Sequence, residues 1–268
     1  MDVKKVLYIS QEITPYLAPD PLSTFGRMLP QGIQESGTEV RTFMPRYGCI
    51  NERRNQLHEV IRLSGLNIVI DDTDHPLIIK VATLQPSRMQ VYFIDNDDYF
   101  LRHTTDGLET VTLAHENDER AIFFVRGVLE TVKKLRWIPS VIHCTGWITA
   151  LSPLYLRKMY GEDPTFSDAK IVFSLFDDPF EGHLDERMFA KLEEDGFKAE
   201  WIKQLAGAPV DYKALNRIAI DYSDAVAISS PNVDPELIEY ARQSGKPLLE
   251  YPGDENYVEA YKAFYTSL

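Results

Sequence analysis

Short apolar runs alternate along this chain with stretches in which apolar residues recur every three or four positions. The first pattern is typical of buried strands and the second of amphipathic helices. Regular alternation of the two predicts an α/β fold in which helices cover a mostly parallel sheet.

Local patterns place the individual elements of this fold. Residues 3–10 are expected to form a first buried strand, residues 22–36 a helix that Pro30 kinks, and residues 40–44 a second strand. An acidic start at residues 116–119 opens a long helix that continues to Leu135. Further strands are expected at residues 140–144, 170–175 and 225–229, and further helices at 147–160, 186–206 (interrupted near Gly196), 235–244 and 256–265.

Four strand-like runs interrupt the alternation in the first half of the chain. They lie at residues 60–63, 66–70, 77–84 and 90–94, with turn-forming residues between them. We expect antiparallel hairpins inserted into the α/β frame. Because no repeat or low-complexity linker divides the sequence, residues 1–268 are expected to form a single domain.

Composition excludes several classes of protein. The 268 residues are 44% hydrophobic and include no apolar run near the length of a membrane span. A net charge of −13 argues against nucleic-acid and acidic-lipid partners. Cys49 and Cys144 show no disulfide or metal spacing, and residues 3–9 are too short for a signal-peptide core, so we expect free thiols and a cytoplasmic location.

The loop after the first strand is where a doubly wound fold places a ligand. Residues 15–22 (PYLAPDPL) contain three prolines, one aspartate and no glycine. A phosphate needs free backbone N–H groups, which prolines lack, and the aspartate repels it. We therefore predict an ordinary helix entry, with Pro21 near the first turn, rather than a phosphate site.

Two polar clusters follow later strands. In residues 143–147 (HCTGW) the sequence favours a buried, hydrogen-bonded His143 over a nucleophilic pair, and no second cluster supports a metal. Residues 177–183 (DDPFEGH) hold three carboxylates and an imidazole, which suit either acid–base chemistry or a solvated turn. We expect no metal and no cofactor.

Several ordered segments resemble bacterial glycogen synthases and plant starch synthases, which are glycosyltransferases of family five. Residues 5–16 (KVLYISQEITPY) resemble the opening strand and loop of that family, and residues 39–48 (EVRTFMPRYG) resemble its second strand with the "LPRYG" end. The most specific blocks are residues 92–100 (YFIDNDDYF) and 116–120 (ENDER). Residues 140–151 and 222–226 resemble the segments "PDVIHAHDWQTAL" and "YADKV".

This resemblance implies a Rossmann-like, doubly wound domain that forms the N-terminal half of a GT-B fold. The family reaction transfers glucose from ADP-glucose to an α-1,4-glucan, and the C-terminal domain that holds most of the donor has no counterpart here. Half of the cleft would lack the positioning and preorganised electrostatics that the transfer requires.

The chemical motifs depart from the family where the scaffold motifs do not. The "KTGGL" loop aligns with residues 18–22 (APDPL), which removes the lysine and both glycines. The "IHN" loop aligns with residues 175–177 (LFD), "HDW" with residues 145–147 (TGW), and "LKGG" with residues 216–219 (NRIA). We expect a degenerate domain, inactive or weak alone, that binds an α-glucan, ADP-glucose or a protein partner.

Two alternatives remain open from the sequence. The chain could be an active glycosyltransferase completed by a separate second Rossmann-like domain or by dimerisation, or an unrelated small-molecule enzyme on the same fold. Asp177 and Glu181 are the candidate catalytic residues. The candidate substrate contacts are Arg217, Trp147 and His143.

Overall fold

The computed structural model describes residues 3–101 and 117–268, together with the backbone of residues 103–104 and 107–108. The helices of this part are α1 (Pro21–Glu35), α2 (Asp97–Phe100), α3 (Asn117–Leu135), α4 (Ser152–Lys158), α5 (Met188–Glu194), α6 (Tyr212–Tyr222), α7 (Pro235–Gln243) and α8 (Tyr257–Ser267). The strands are β1 (Lys5–Ser10), β2 (Glu39–Pro45), β3 (His58–Glu59), β4 (Leu66–Ile70), β5 (Thr73–Leu84), β6 (Met89–Asp95), β7 (His103–Thr104), β8 (Gly107–Leu108), β9 (Val141–Thr145), β10 (Lys170–Leu175), β11 (Ala225–Ile228) and β12 (Leu248–Leu249).

One large sheet organises the described chain, in the order β12-β11-β10-β9-β1-β2-β6-β5-β3. The neighbours from β12 to β6 are all parallel, whereas β5 pairs antiparallel with β3, β4 and β6. This arrangement confirms the α/β fold with a mostly parallel sheet and an inserted antiparallel part.

The chain reverses its direction of growth across the sheet at β1. Strand β2 is added on one side of β1, while β9 and then β10 and β11 are added on the other side. In open α/β sheets a crevice forms outside the carboxyl ends of the strands at such a switch point. The ends of β1 and β9 therefore mark where a ligand would bind.

Three of the expected elements differ from the structure. The predicted helix at residues 147–160 is divided into a 3-10 turn at Trp147–Thr149 and the shorter helix α4. The predicted strand at residues 60–63 is wrong: Val60 accepts from the N–H groups of Leu63 and Ser64, so the chain turns there. Ile61 is 82% exposed, so its apolar side chain marks no buried strand.

The predicted helix at residues 186–206 is shorter than expected, but its predicted interruption near Gly196 is confirmed. Regular helix ends at Glu194, and Gly196 follows with a φ of +103°, a left-handed conformation that glycine adopts readily. Residues Ala199–Trp201 and Lys203–Leu205 then form 3-10 turns.

Helix α8 completes a buried polar network on the face of the sheet. His143 on β9 is fully buried, and its two ring nitrogens lie 2.5 Å from the Tyr265 hydroxyl and 2.5 Å from the Ser174 hydroxyl. The Tyr265 hydroxyl also lies 3.2 Å from the hydroxyl of Tyr8 on β1. Burial lowers the pKa of His143 to about 3, so the imidazole is neutral in the folded protein.

Removal of the Tyr265 hydroxyl should destabilise the fold. We expect Tyr265→Phe to lower the free energy of unfolding by about 1–3 kcal/mol, because one buried ring nitrogen of His143 loses its partner. Urea denaturation measures this loss. Tyr257→Phe is the matched control on the same helix, since no hydrogen bond to the Tyr257 hydroxyl is seen among the described residues; equal losses in the two variants would contradict the assignment.

Candidate functional site

The switch point of the sheet opens into two adjoining cavities. The first, the switch-point cleft, has a volume of about 410 Å³ and is lined by loop residues that follow β1, β9, β10 and β11. The second, the aromatic pocket, has a volume of about 540 Å³ and lies between the start of α1 and residues 251–261. Seven of the described residues line both cavities: Asp20, Pro21, Phe176, Ser230, Pro231, Tyr251 and Asp254.

Two glycines, Gly26 and Gly146, pack closely against Glu12 and Gln11, the residues that follow β1. A Cβ on Gly26 of α1 would lie 2.2 Å from the carbonyl oxygen of Glu12, and one on Gly146 would lie 2.4 Å from the Cβ of Gln11. Gly146 also has a φ of +90°. Both positions therefore require glycine, and both fix the chain that leaves β1.

Gln11 joins the ends of β1 and β9 through its own hydrogen bonds. Its backbone N–H donates to the carbonyl of Thr145 at 2.9 Å, and its side-chain oxygen accepts from the N–H of Ile148 at 3.2 Å. Tyr47 donates its hydroxyl to the Gln11 carbonyl at 3.0 Å. The floor of the cleft is therefore rigidly tied to two central strands.

The N-terminus of α1 is closed by a side chain of the protein itself. Asp20 is the N-cap residue, and its carboxylate accepts from the N–H of Ser23 at 2.7 Å while its own N–H donates to the Ser23 hydroxyl at 3.0 Å. Pro21 occupies the first turn. An anion would need the N–H groups that this capping box occupies, so the predicted ordinary helix entry is confirmed.

The charged side chains that line the switch-point cleft are carboxylates. They are Glu12, Asp20, Asp177, Asp178 and Asp254. Among the described residues, no lysine, arginine or histidine lines this cleft. A nucleoside diphosphate placed here would meet like charges without a compensating cation.

Glu12 is one of two acids in the described part of this cleft whose pKa is clearly raised. Its partial burial, together with the nearby charge of Asp20, raises its pKa from the ordinary value of 4.5 to about 7. The carboxyl group is therefore partly protonated at neutral pH and can donate a hydrogen bond as well as accept one. The sequence prediction missed Glu12, although its position directly beyond the first strand was a usable signal.

The Asp178 carboxylate is held by hydrogen bonds within the protein, whereas its neighbour Asp177 is exposed. The Asp178 carboxylate accepts from the N–H of Trp147 at 2.8 Å and from the hydroxyl of Tyr212 at 2.9 Å. Burial raises its pKa to about 6. Asp177 has an exposed side chain at the rim of the cleft and is the candidate catalytic residue that the cleft contains.

The other predicted site residues do not form one cluster with Asp177. Glu181 is exposed and does not line the cleft, and Arg217 lies on α6, where it faces Glu236 at 3.5 Å and the ring of Tyr240 at 5.5 Å. Trp147 lines the cleft but is only 2% exposed, with its ring 4.8 Å from that of Phe180.

His143 lies in the core, not in the cleft. Both of its ring nitrogens are occupied, so the geometry fits the buried histidine that the sequence favours over a ligand. Contact between this ring and a substrate would require α8 to leave the sheet.

Metal binding and membrane insertion find no support in the described residues. Within residues 3–101 and 117–268, no three His, Cys, Asp or Glu side chains are grouped so that they could hold a metal ion. Among the described helices, none combines the length and the apolar character that a bilayer span needs.

The raised pKa of Glu12 predicts a pH-dependent stability. Between pH 4.5 and about 7 the folded protein holds a proton that the unfolded chain releases, so this contribution is complete below pH 4.5 and is lost as the pH rises through 7. Glu12→Gln mimics the protonated form. We expect the melting temperature of this variant to exceed that of the wild type by more at pH 8 than at pH 5.

Thermal unfolding at the two pH values measures this difference. Glu181→Gln is the control, because that side chain is exposed and outside the cleft. If the melting temperatures of Glu12→Gln and the wild type differ by the same amount at pH 5 and pH 8, the raised pKa is contradicted.

Comparison with known proteins identifies related chains. Glycogen synthase from Chlorobium chlorochromatii is 39% identical over 192 residues, which are 71% of this chain and 39% of the relative. Glycogen synthase from Chlorobaculum parvum is 34% identical over 243 residues, which are 87% of this chain and 47% of the relative. The chain therefore spans less than half of the length of these relatives.

A solved structure shares the fold. The catalytic domain of starch synthase IV from Arabidopsis thaliana, bound to ADP and acarbose, superposes with a TM-score of 0.72 at 18% identity. The match covers 93% of this chain and 51% of the plant protein. The family model of the starch synthase catalytic domain matches residues 5–249, and the chain accordingly belongs to the family of glycogen and starch synthases.

Proposed function

We propose that this chain is a degenerate glycogen/starch synthase-like domain of glucan metabolism, which binds a neutral α-glucan in the switch-point cleft and does not transfer glucose from ADP-glucose on its own. The closed N-terminus of α1 carries the proposal. Where a diphosphate would need free N–H groups and a cation, this chain presents the carboxylate of Asp20.

The chemistry of the cleft fits a neutral polyol better than a nucleotide sugar. Exposed carboxylates such as Asp177 accept hydrogen bonds from hydroxyl groups, and the protonated form of Glu12 can donate one. A glucan carries no charge, so it loses nothing to the acidic lining. ADP-glucose carries a diphosphate and would be repelled.

The proposal extends to the location and the domain organisation of the protein. We place it in the cytoplasm, because both cysteines are free, as in proteins of reducing compartments. We also propose that residues 1–268 form a single domain. Neither nucleic acid nor a membrane surface is a proposed partner, in keeping with the net charge of −13.

Calorimetric titration of the pure protein tests the ligand. We expect heat of binding with maltoheptaose and none with ADP or ADP-glucose. Asp177→Asn should weaken maltoheptaose binding several-fold, because a charged acceptor of sugar hydroxyl groups becomes a neutral one. Glu181→Gln is the matched control from the same loop and should bind like the wild type. Binding of ADP-glucose in preference to glucan would overturn the proposal.

A transfer assay tests the absence of catalysis. We expect labelled ADP-glucose and glycogen to give no product above a blank without protein, because no basic side chain among the described lining residues of the cleft would hold the diphosphate. Turnover by the pure chain would contradict this expectation. Turnover that appears only with rising protein concentration, or only after a second chain is added, would instead favour the alternative of a transferase completed by dimerisation or by a separate domain.

A further inference from the structure

The aromatic pocket is built in part from residues beyond the family match. That match ends at residue 249, whereas Tyr251, Pro252, Gly253, Asp254, Tyr257 and Tyr261 form one wall of the pocket. The opposite wall comes from the start of α1, and Phe176 lies at the end of β10. The shape of this pocket therefore depends on a segment that the family pattern does not include.

Aromatic rings form the floor of the pocket around Phe25. The centroid of the Phe25 ring lies 5.5 Å from that of Phe176, 5.8 Å from that of Tyr257 and 5.5 Å from that of Tyr261. Phe25, Phe176 and Tyr261 are buried, while Tyr257 and Tyr251 are partly exposed toward the opening. The pocket thus offers a ring cluster to a ligand of modest size.

Hydroxyl groups that could bind a polyol are already engaged. The Ser229 hydroxyl lies 2.5 Å from that of Tyr261, and the Tyr251 hydroxyl donates to Asp254 at 2.5 Å. The Ser230 hydroxyl accepts from the N–H of Asn232 at 3.2 Å. A ligand rich in hydroxyl groups would therefore find few free partners at the floor.

Negative charge at the mouth has no positive partner. Asp20 and Asp254 are both exposed and line the pocket, and no ion pair between either carboxylate and a lysine, arginine or histidine is found in the described part of the chain. The residues that line the pocket include no basic side chain. A cation entering here would meet two exposed carboxylates that have no basic side chain as a partner among the described residues, and aromatic rings below them.

We propose that the aromatic pocket binds a small organic cation, an ammonium or guanidinium group on an apolar body. The rings attract a cation through their quadrupoles and the carboxylates attract it by charge, whereas a phosphate or carboxylate ligand is repelled. A volume of about 540 Å³ lies in the range of small-molecule sites. The cation would bind beside the proposed glucan cleft, and this inference does not require that glucan binds there.

A pair of isosteric probes tests the charge requirement. Choline and 3,3-dimethylbutan-1-ol have the same shape, but only choline is charged. We expect calorimetry or ligand-observed NMR to show choline binding at least about 10-fold more tightly than the neutral alcohol. We expect benzyltrimethylammonium, with its larger apolar body, to bind more tightly still. Equal affinity for choline and the alcohol, or no binding of either cation, would overturn the proposal.

Variants locate the site. Asp254→Asn and Tyr257→Leu should each weaken binding of benzyltrimethylammonium about 5-fold or more, since one removes charge and the other a ring. Glu255→Gln, an exposed neighbour that does not line the pocket, is the matched control. Unchanged affinity in both Asp254→Asn and Tyr257→Leu would exclude this pocket.

A variant at an exposed position tests the site without the risk that the protein fails to fold. Thr24 is exposed on α1 and lines the pocket, so Thr24→Lys places a tethered cation at the mouth without disturbing the core. We expect loss of benzyltrimethylammonium binding with an unchanged melting temperature, and retained binding would contradict the site. Maltoheptaose titration of Tyr257→Leu separates the two proposals, because Tyr257 does not line the switch-point cleft.

Discussion

The hydrogen bond between the Asp20 carboxylate and the N–H of Ser23 caps the N-terminus of α1, beside the cleft that Asp20 lines. A helix N-terminus attracts anions because its first N–H groups are unpaired and its dipole is positive. Here a covalently attached carboxylate supplies the anion at high effective concentration. A free phosphate would have to displace it, and the prolines on either side of Asp20 offer no N–H groups in compensation.

The acidic character of the cleft extends beyond Asp20. Glu12, Asp177 and Asp254 line the same cleft. Burial, together with the nearby charge of Asp20, raises the pKa of Glu12. The scaffold beneath them is unaffected, because Gly26 and Gly146 keep the backbone contacts that hold the end of β1.

Much of the fold could be predicted from the sequence because its signals are local. The central strands are continuous apolar runs, and α1 and α3 carry clear helical periodicity, so their positions follow from residues close together in the chain. The run at residues 60–63 failed because apolar composition cannot distinguish a paired strand from an exposed turn. The acidic loop was located, but sequence alone could not show that Asp178 faces inward to Trp147 while Asp177 faces solvent.

The candidate site was less predictable because its walls meet only in three dimensions. Phe25 and Tyr257 are separated by most of the chain, yet their rings are 5.8 Å apart. Family motifs pointed to the loops that line the cleft but not to the wall from Tyr251 onward, because the matched region ends at residue 249. Arg217 illustrates the converse: a residue that aligned with a family motif lies beside Glu236 and Tyr240, away from the cleft.

The network around His143 constrains how the chain can reach its native state during synthesis. The imidazole is buried on a central strand, but one of its partners, Tyr265, follows it by 122 residues. In a chain that lacks α8, the ring nitrogen of His143 that faces Tyr265 would need water as its partner. Because 122 residues separate the two side chains, we expect their contact to form late in folding.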